Sequence, residues 1–219
     1  MVTVALCRSR AAAAVRDALT GPDAGRRGAA AVAVALVVFL AATAVADLAL
    51  PFGLLRGSAP LAEVARVPSP WEGAARILLV NLVSVAAIAL GSLFGRRRDE
   101  TTDFSSVGYT VLCVLALVDG LVLGTWSFAV AAAEPTLPGK ILGMADLTSR
   151  AGLWELAGQA LAAAALARCA IVRTTGRHTV VDRGGVELGR VAAALLVVAL
   201  LLMAMGALVE ARAVLDHLG

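Results

Sequence analysis

Aromatic residues are scarce in this sequence of 219 residues, because phenylalanine, tryptophan and tyrosine together fill only 4% of its positions. A transmembrane β-barrel would need aromatic girdles and short alternating segments, and the sequence contains neither. Nucleic-acid binding would need stacking aromatics on a basic face, which are missing as well. Alanine, valine, leucine and glycine dominate instead, and this composition favours helices that pack closely through small residues.

Residues typical of catalysis or metal binding are also rare. The sequence has 2 histidines and 3 cysteines, and the cysteines show no metal-ligand spacing. It contains no His-Glu-x-x-His zinc motif, no Gly-x-Ser-x-Gly nucleophile elbow and no Walker motif. We therefore expect a non-enzymatic protein with no catalytic residues, no metal site and no cofactor. Any ATPase that works with it would be a separate chain.

Apolar residues, in contrast, make up 60% of the chain. Globular domains have roughly 45–50% apolar residues, so the surplus indicates that the lipid bilayer is the solvent. A transmembrane helix needs about 20 apolar residues, and five stretches approach that length. They predict an all-α integral membrane bundle of about five transmembrane helices, at residues 28–50, 77–95, 107–130, 153–172 and 191–209.

The remaining segments are short. In the N-terminal lead, Ala11 to Leu19 is typical of an amphipathic helix at the membrane surface, ended by Gly21 and Pro22. The loop 173–190 is typical of a small hairpin with its turn at Gly184-Gly185. The predicted organisation is a lead, one transmembrane domain and a tail, at residues 1–27, 28–215 and 216–219.

The basic residues orient the predicted bundle. Thirteen of the 19 lysines and arginines fall in the lead, around residues 96–98 and in the segment 168–190. These segments share one side of a five-span topology, and positive residues concentrate on the cytoplasmic side of membrane proteins. We therefore expect a multi-pass protein of the plasma membrane, with its N-terminus in the cytoplasm and its C-terminus outside. The alanine- and arginine-rich composition suggests a high-GC bacterium as the source.

Several polar residues interrupt the predicted spans, where an ionised side chain costs roughly 2.5–3.5 kcal/mol on insertion scales. Asp119 lies near the middle of the third span, whereas Asn81 lies just inside the outer end of the second. Glu155 and Gln159 are four residues apart in the fourth span and therefore share one helix face. Glu210 lies at the outer end of the fifth. These residues predict a polar cluster toward the outer side, and the alternative is that they are ordinary helix-end residues at the headgroups. Charges expected at the same level are Asp47, Arg76, Arg150 and Arg212.

Two pairs of glycines have the four-residue spacing that lets helix backbones approach each other. Gly91 and Gly95 form the first pair, at the end of the second span, and Gly120 and Gly124 form the second pair, in the third span. We expect both pairs to serve packing within the bundle more than dimerisation.

Taken in order, these motifs resemble those of the stage II sporulation protein M family, a group of small multi-helix membrane proteins. The resemblance covers about residues 28–215. It includes an asparagine early in one span, here Asn81, followed by the glycine-containing segment 91–95. It also includes an Asn-Gly motif with a second glycine four residues later, which here reads Asp119-Gly120 followed by Gly124, with Asp in place of Asn.

The later motifs follow the same order. The family's His-Gly and Glu-Leu pattern here reads Arg150-Ala-Gly152-Leu-Trp-Glu155-Leu, with Arg or Ala where the histidine would stand. The family's glutamate near the end of the last span corresponds to Glu210. The resemblance implies a non-enzymatic scaffold that organises a membrane or cell-envelope complex.

Two functional alternatives remain open from the sequence. The short loops and the packing glycines favour the scaffold, whose partners would be the lipid bilayer and other membrane or envelope proteins. The acidic residues within spans favour a permease-like subunit of an export system, including bacteriocin export or immunity, that works with a separate ATPase. Neither alternative involves nucleic acid, and a homo-oligomer is compatible with both.

Overall fold

The computed structural model describes residues 10–55, 69–97, 104–127, 143, 146, 152–175, 178–181 and 188–218. The chain is mostly helical. The described helices are α1 (Arg10–Thr20), α2 (Ala24–Ala49), α3 (Pro70–Ser92), α4 (Val107–Gly124), α5 (Leu153–Leu166) and α6 (Arg190–Leu218). The described strands are β1 (Phe94–Arg97), β2 (Phe104–Ser106), β3 (Val172–Thr175) and β4 (His178–Val181).

The break between the first two helices lies where the sequence predicts it. Helix α1 ends at Thr20, and Gly21 and Pro22 separate it from α2. Asp23 is the N-cap of α2, because its Oδ1 atom accepts hydrogen bonds from the backbone nitrogens of Gly25 and Arg26, at 2.8 and 3.2 Å.

Among the residues that the structure describes, four helices, α2, α3, α4 and α6, are long and apolar enough to cross a membrane. The expected helical membrane bundle is therefore confirmed at that level. The predicted fourth span is different, because α5 has only 14 residues. At 1.5 Å per residue it is about 21 Å long, whereas the hydrocarbon core of a bilayer is about 30 Å thick.

The third and fourth predicted spans, 107–130 and 153–172, extend too far at their C-terminal ends. Helix α4 ends at Gly124, and Trp126 then adopts a left-handed backbone conformation with φ of 52°. Helix α5 ends at Leu166, and β3 begins at Val172. In both places the apolar run continues past the helix, so composition alone could not locate the end.

The second predicted span, 77–95, is displaced along the chain. Helix α3 begins at Pro70, and its N-cap Ser69 accepts a hydrogen bond from the backbone nitrogen of Trp71 at 3.3 Å. The sequence does carry this start signal, because a serine followed by proline at the first helical position and a glutamate, Glu72, is typical of a helix N-terminus. The helix ends at Ser92, before β1.

The helices alternate in direction. The start of α2 lies beside the end of α5, where Arg27 contacts Ala164, and the end of α2 lies beside the end of α4, where Gly124 contacts Thr43. Strands β1 and β3, which directly follow α3 and α5, run parallel to each other. Leu195, near the start of α6, lies beside Gly28, near the start of α2. Helices α2, α4 and α6 therefore run one way through the bundle, and α3 and α5 run the other way.

A four-stranded sheet joins the helices at one end of the bundle, which we call the sheet end. Its order is β2-β1-β3-β4, with antiparallel outer pairs and a parallel central pair. The predicted all-α fold does not include this sheet, in which β1 and β3, two segments far apart in sequence, pair with each other. A described hairpin occurs earlier in this loop than the turn predicted at Gly184-Gly185, since Thr175 pairs with His178. Residues 184 and 185 themselves lie outside the described part of the chain.

The core of the bundle consists mainly of alanine. Helix α5 lies at its centre and contacts all four of the longer helices. Ala160, Ala162, Ala163 and Ala164 on this helix are completely buried. Such small side chains let the neighbouring helices approach closely, as the low aromatic content of the sequence predicts.

Candidate functional site

Four polar side chains from four different helices lie near one another in the bundle. The Nδ2 atom of Asn81 on α3 donates a hydrogen bond to Oε1 of Glu155 on α5. The carboxyl group of Glu155 also lies within electrostatic reach of Glu210 on α6 and Asp119 on α4. Glu210 and Asp119 are within reach of each other as well. We call Asp119, Glu155 and Glu210 the carboxyl cluster, and Asn81 is its amide donor.

The depth of the cluster differs from the sequence prediction. Asn81 lies halfway along α3 and not near its outer end, because that helix begins at Pro70. Asp119 lies in the last two turns of α4 and not in the middle of that helix, because the helix ends at Gly124. The sequence already predicts Asn81 and Glu155 at one level, and the shift of Asp119 brings it to that level too. Asn81, Asp119 and Glu155 each lie about three helical turns from the sheet end, roughly 16 Å at 1.5 Å per residue.

Two helices end close to the cluster on the side away from the sheet. Glu155 lies in the first turn of α5, and Asp119 lies near the last residue of α4. Helices α2, α3 and α6 continue beyond this level. The cluster therefore lies where five packed helices reduce to three in the described part of the chain.

The cluster has many hydrogen-bond acceptors and few donors. Asn81 is 6% exposed, Glu155 and Glu210 are half-buried, and Asp119 is exposed at the bundle surface. Gln159, one turn from Glu155, is only 4% exposed, and its Oε1 atom has no hydrogen-bond partner among the described residues. In the part of the chain that the structure describes, none of the three carboxyl groups forms an ion pair with an arginine or lysine.

The predicted charge partners do not join the cluster as a group. Arg76 pairs with Glu72 on its own helix, with 3.1 Å between Nη2 and Oε1. Arg212 is exposed on α6, and Asp47 is half-buried beside Gly124 at the end of α2. Arg150 lies outside the described residues. The outer charges expected from the sequence are therefore spread over separate places.

The glycine pair in α4 lies at the contact with α2. A Cβ atom at Gly120 would lie 2.5 Å from the carbonyl oxygen of Phe39, and one at Gly124 would lie 2.6 Å from Cβ of Ala46. Neither distance is sterically acceptable, so the backbones approach closely only because both positions lack a side chain. This contact fixes the position of α4 and hence of Asp119.

The other predicted glycine pair has two different locations. Gly91 packs against Gly108 of α4 near the sheet end, where an added Cβ would lie 3.3 Å from the Cα atom of Gly108. Gly95 lies in strand β1 and pairs with Ser106 and Arg173. Only the first of these two glycines is at a helix–helix contact.

Sequence reasoning missed the structural role of Arg27, which was counted only as a cytoplasmic charge. This arginine is 3% exposed. Its Nε atom donates to the carbonyl oxygen of Ala164 at 3.2 Å, and Nη1 donates to those of Gly21 and Pro22 at 2.8 Å each. A cation here satisfies one carbonyl in the last turn of α5 and two between α1 and α2, and it complements the dipole of α5. No local sequence pattern reveals these partners.

The chemistry of the carboxyl cluster is that of a site lacking positive charge and donors. Within the described residues no three histidine, cysteine, aspartate or glutamate side chains are placed to hold a metal ion. The carboxyl groups repel one another when ionised, and a donor-bearing cation between them would relieve that repulsion.

Comparison of the chain with protein-family models, with curated proteins and with solved structures gave no match.

Proposed function

We propose that this protein is a non-enzymatic membrane scaffold that organises a membrane or cell-envelope complex, as its resemblance to the stage II sporulation protein M family implies. It would lie in the plasma membrane of a high-GC bacterium and cross it five times, with α5 as the short fourth pass. The N-terminus and the sheet end would face the cytoplasm, and the C-terminus would lie outside.

The observation that carries this proposal is the closed packing around α5. Alanine side chains with no exposed surface fill the centre of the described bundle, and such close packing favours a scaffold over a passage for a substrate. A described surface groove lies elsewhere, between α3 and α6, with a volume of about 330 Å³. Its lining is apolar and includes Leu78, Leu82 and Val197, so it suits an acyl chain of the surrounding lipid better than a polar cargo.

The sheet end supports the same proposal. Strands β1 and β3 hold the ends of α3 and α5 together, and the backbone nitrogens of Ile171 and Val172 both donate to the carbonyl oxygen of Leu93 at 2.9 Å. A hydrogen-bonded sheet is a rigid base for a bundle. Rigidity suits a protein that presents surfaces to partners more than one that alternates between two conformations.

A permease-like subunit remains the second candidate, and the carboxyl cluster is the observation that favours it. Ionisable groups within spans often line ion or substrate pathways. In that case the sheet would be the surface that meets the separate ATPase, because β1 and β3 connect directly to the helices that carry Asn81 and Glu155. Coupling would then pass from the sheet along α3 and α5.

Native complexes extracted in lipid nanodiscs would separate these candidates. The tagged protein is purified from its own host, cross-linked beforehand in intact cells, and its partners are identified by mass spectrometry. Envelope-building or wall-remodelling proteins at fixed stoichiometry support the scaffold. An ATPase whose hydrolysis rate rises when the chain is present supports the permease-like subunit. A homo-oligomer with no other partner contradicts both.

Labelling of single cysteines tests the proposed orientation. In a variant whose native cysteines are replaced by alanine, a membrane-impermeant maleimide should label Ser58→Cys in intact cells. It should label Thr179→Cys, on exposed strand β4, only after the membrane is opened. The reverse pattern would invert the topology.

A further inference from the structure

The carboxyl cluster has no positively charged partner among the described residues. The buried amide of Gln159, beside it, has an oxygen without a hydrogen-bond donor. Gln159 follows Glu155 by one helical turn, so both side chains lie on one face of α5. Long side chains on a helix lean toward its N-terminus, which directs Gln159 toward Glu155. The unpaired Oε1 atom of Gln159 is therefore an independent sign that this site lacks a donor.

The geometry favours an organic cation over a metal ion. A metal ion needs several oxygen ligands at one point, and no three acidic side chains in the described part of the chain converge in that way. An ammonium group has three donors, and a guanidinium group spreads five donors over a planar fork. Such a group can donate hydrogen bonds to carboxylates on separate helices, and Asp119, Glu155 and Glu210 lie on three different helices.

Asp119 makes the cluster accessible from the side of the bundle. Its side chain is exposed, and so are those of Leu117 and Val118, which precede it on α4. An ionised aspartate facing hydrocarbon is costly unless a partner covers it. The cluster lies about 16 Å from the sheet end, which is close to half the thickness of the hydrocarbon core.

From these observations we propose that the carboxyl cluster docks a lysine or arginine side chain carried near the middle of a transmembrane helix of a partner protein. This inference rests on the proposed scaffold function and assigns it a binding site. The partner's cation would approach past Asp119, lie between Asp119, Glu155 and Glu210, and donate to their carboxylates. Its charge would offset theirs, and the shared ion pair would fix the depth of the partner helix in the bilayer.

A defined probe tests this site without knowledge of the natural partner. The probe is a leucine–alanine helix of about 23 residues with lysine anchors at both ends and one arginine at its centre. Matched peptides carry leucine or glutamine at that central position. Association with the full-length protein is measured by energy transfer between fluorophores in phosphatidylcholine vesicles, over a range of peptide-to-lipid ratios.

The arginine peptide should bind the protein about five- to thirtyfold more tightly than the leucine peptide, a factor that corresponds to 1–2 kcal/mol between helices in a membrane. The glutamine peptide should bind only slightly better than the leucine peptide, because it adds donors without charge. Asp119→Asn should remove most of the preference for arginine. Glu72→Gln, which removes a carboxylate paired with Arg76 outside the cluster, should leave it unchanged.

Circular dichroism checks that each variant remains folded. If Asp119→Asn does not fold, Glu210→Gln removes a different carboxylate of the cluster and tests the same point. Equal binding of the three peptides would overturn the inference, as would an undiminished preference for arginine in both variants. The scaffold proposal stands apart from this result. Partners found in native complexes together with equal peptide binding would contradict the docking site only, whereas a preference for arginine without native partners would contradict the scaffold only.

Discussion

The sheet end and the carboxyl cluster use polar groups in opposite ways. At the sheet end, the buried Arg27 has its donors matched to three backbone carbonyls, and the strands pair with one another. At the cluster, the described residues supply one side-chain donor, Asn81, to Glu155 alone, and the amide oxygen of Gln159 has no described partner. A buried polar group that is matched contributes to stability, whereas an unmatched one costs free energy. The sheet end therefore contributes to stability, whereas the cluster costs free energy that the proposed partner would offset.

The largest effect should follow from removing the matched cation at the sheet end. Arg27→Met would leave the carbonyl oxygens of Ala164, Gly21 and Pro22 without their donors, and we expect the free energy of unfolding to fall by about 3 kcal/mol. Reversible unfolding in mixed micelles, followed by circular dichroism, measures this loss. Arg26→Met is the matched control, because Arg26 is exposed, and it should change stability by less than about 0.5 kcal/mol. Equal losses in the two variants would remove the contrast between the two regions.

A smaller loss should follow from widening the contact that positions Asp119. Gly120→Ala would place a Cβ atom 2.5 Å from the carbonyl oxygen of Phe39, so α4 must move away from α2. We expect the free energy of unfolding to fall by about 2 kcal/mol, measured in the same unfolding experiment.

Gly152→Ala is the control for this change, since no atom lies within 4 Å of the added Cβ. It should be neutral or slightly stabilising, because alanine restricts the unfolded chain. A loss at Gly152 equal to that at Gly120 would show that steric contact with α2 is not the cause.

Substitution of Asn81 in the cluster should cause a smaller loss of stability, and that loss should depend on the presence of Glu155. Asn81→Leu removes the donor of Glu155, and we expect a loss of about 1–2 kcal/mol. The same substitution in a Glu155→Leu background should cost almost nothing, because no carboxyl group is then left without its donor. A double-mutant cycle measures the difference as a coupling energy. A coupling near zero would mean that the hydrogen bond contributes nothing to the fold.

The smallest change in stability should come from Ser92, a buried polar residue at the sheet end that lacks a described partner. The Oγ atom of Ser92 is buried without a hydrogen-bond partner, so Ser92→Ala should raise the free energy of unfolding by about 0.5–1 kcal/mol. Ser127 is an equally buried control whose hydroxyl accepts from the backbone nitrogen of Leu55 at 3.0 Å. Ser127→Ala should therefore destabilise by about 1 kcal/mol. If both changes have the same sign, hydrogen-bond matching does not decide stability in this bundle.

The sequence predicts the helical bundle well because long apolar runs have no alternative in lipid. It predicts the ends of the runs poorly, because lipid-facing and protein-buried apolar residues have the same composition. That ambiguity extended the third span past Gly124 and placed Asp119 at the wrong depth. The start of α3 was predictable from Ser69, Pro70 and Glu72, a helix-start signal that lies outside the apolar run.

Some of the candidate site could be predicted, and some could not. Asn81, Glu155 and Glu210 stand out because polar residues are costly in a span, and the topology alone places them near one another. The sheet could not be predicted, since β1 and β3 come from segments far apart in the sequence and neither has a period-two pattern. The carbonyl partners of Arg27 depend on tertiary contacts in the same way.

The short length of α5 has a consequence for how the protein is made. A helix of 14 residues that contains Glu155 and Gln159 is a poor substrate for insertion into a bilayer by itself. Helices α2, α3 and α4 emerge from the ribosome before it and α6 after it, and α5 is buried against all four of them. Biosynthesis would therefore bring α5 into the membrane only as those neighbours assemble around it, so that insertion and folding are one step for this helix.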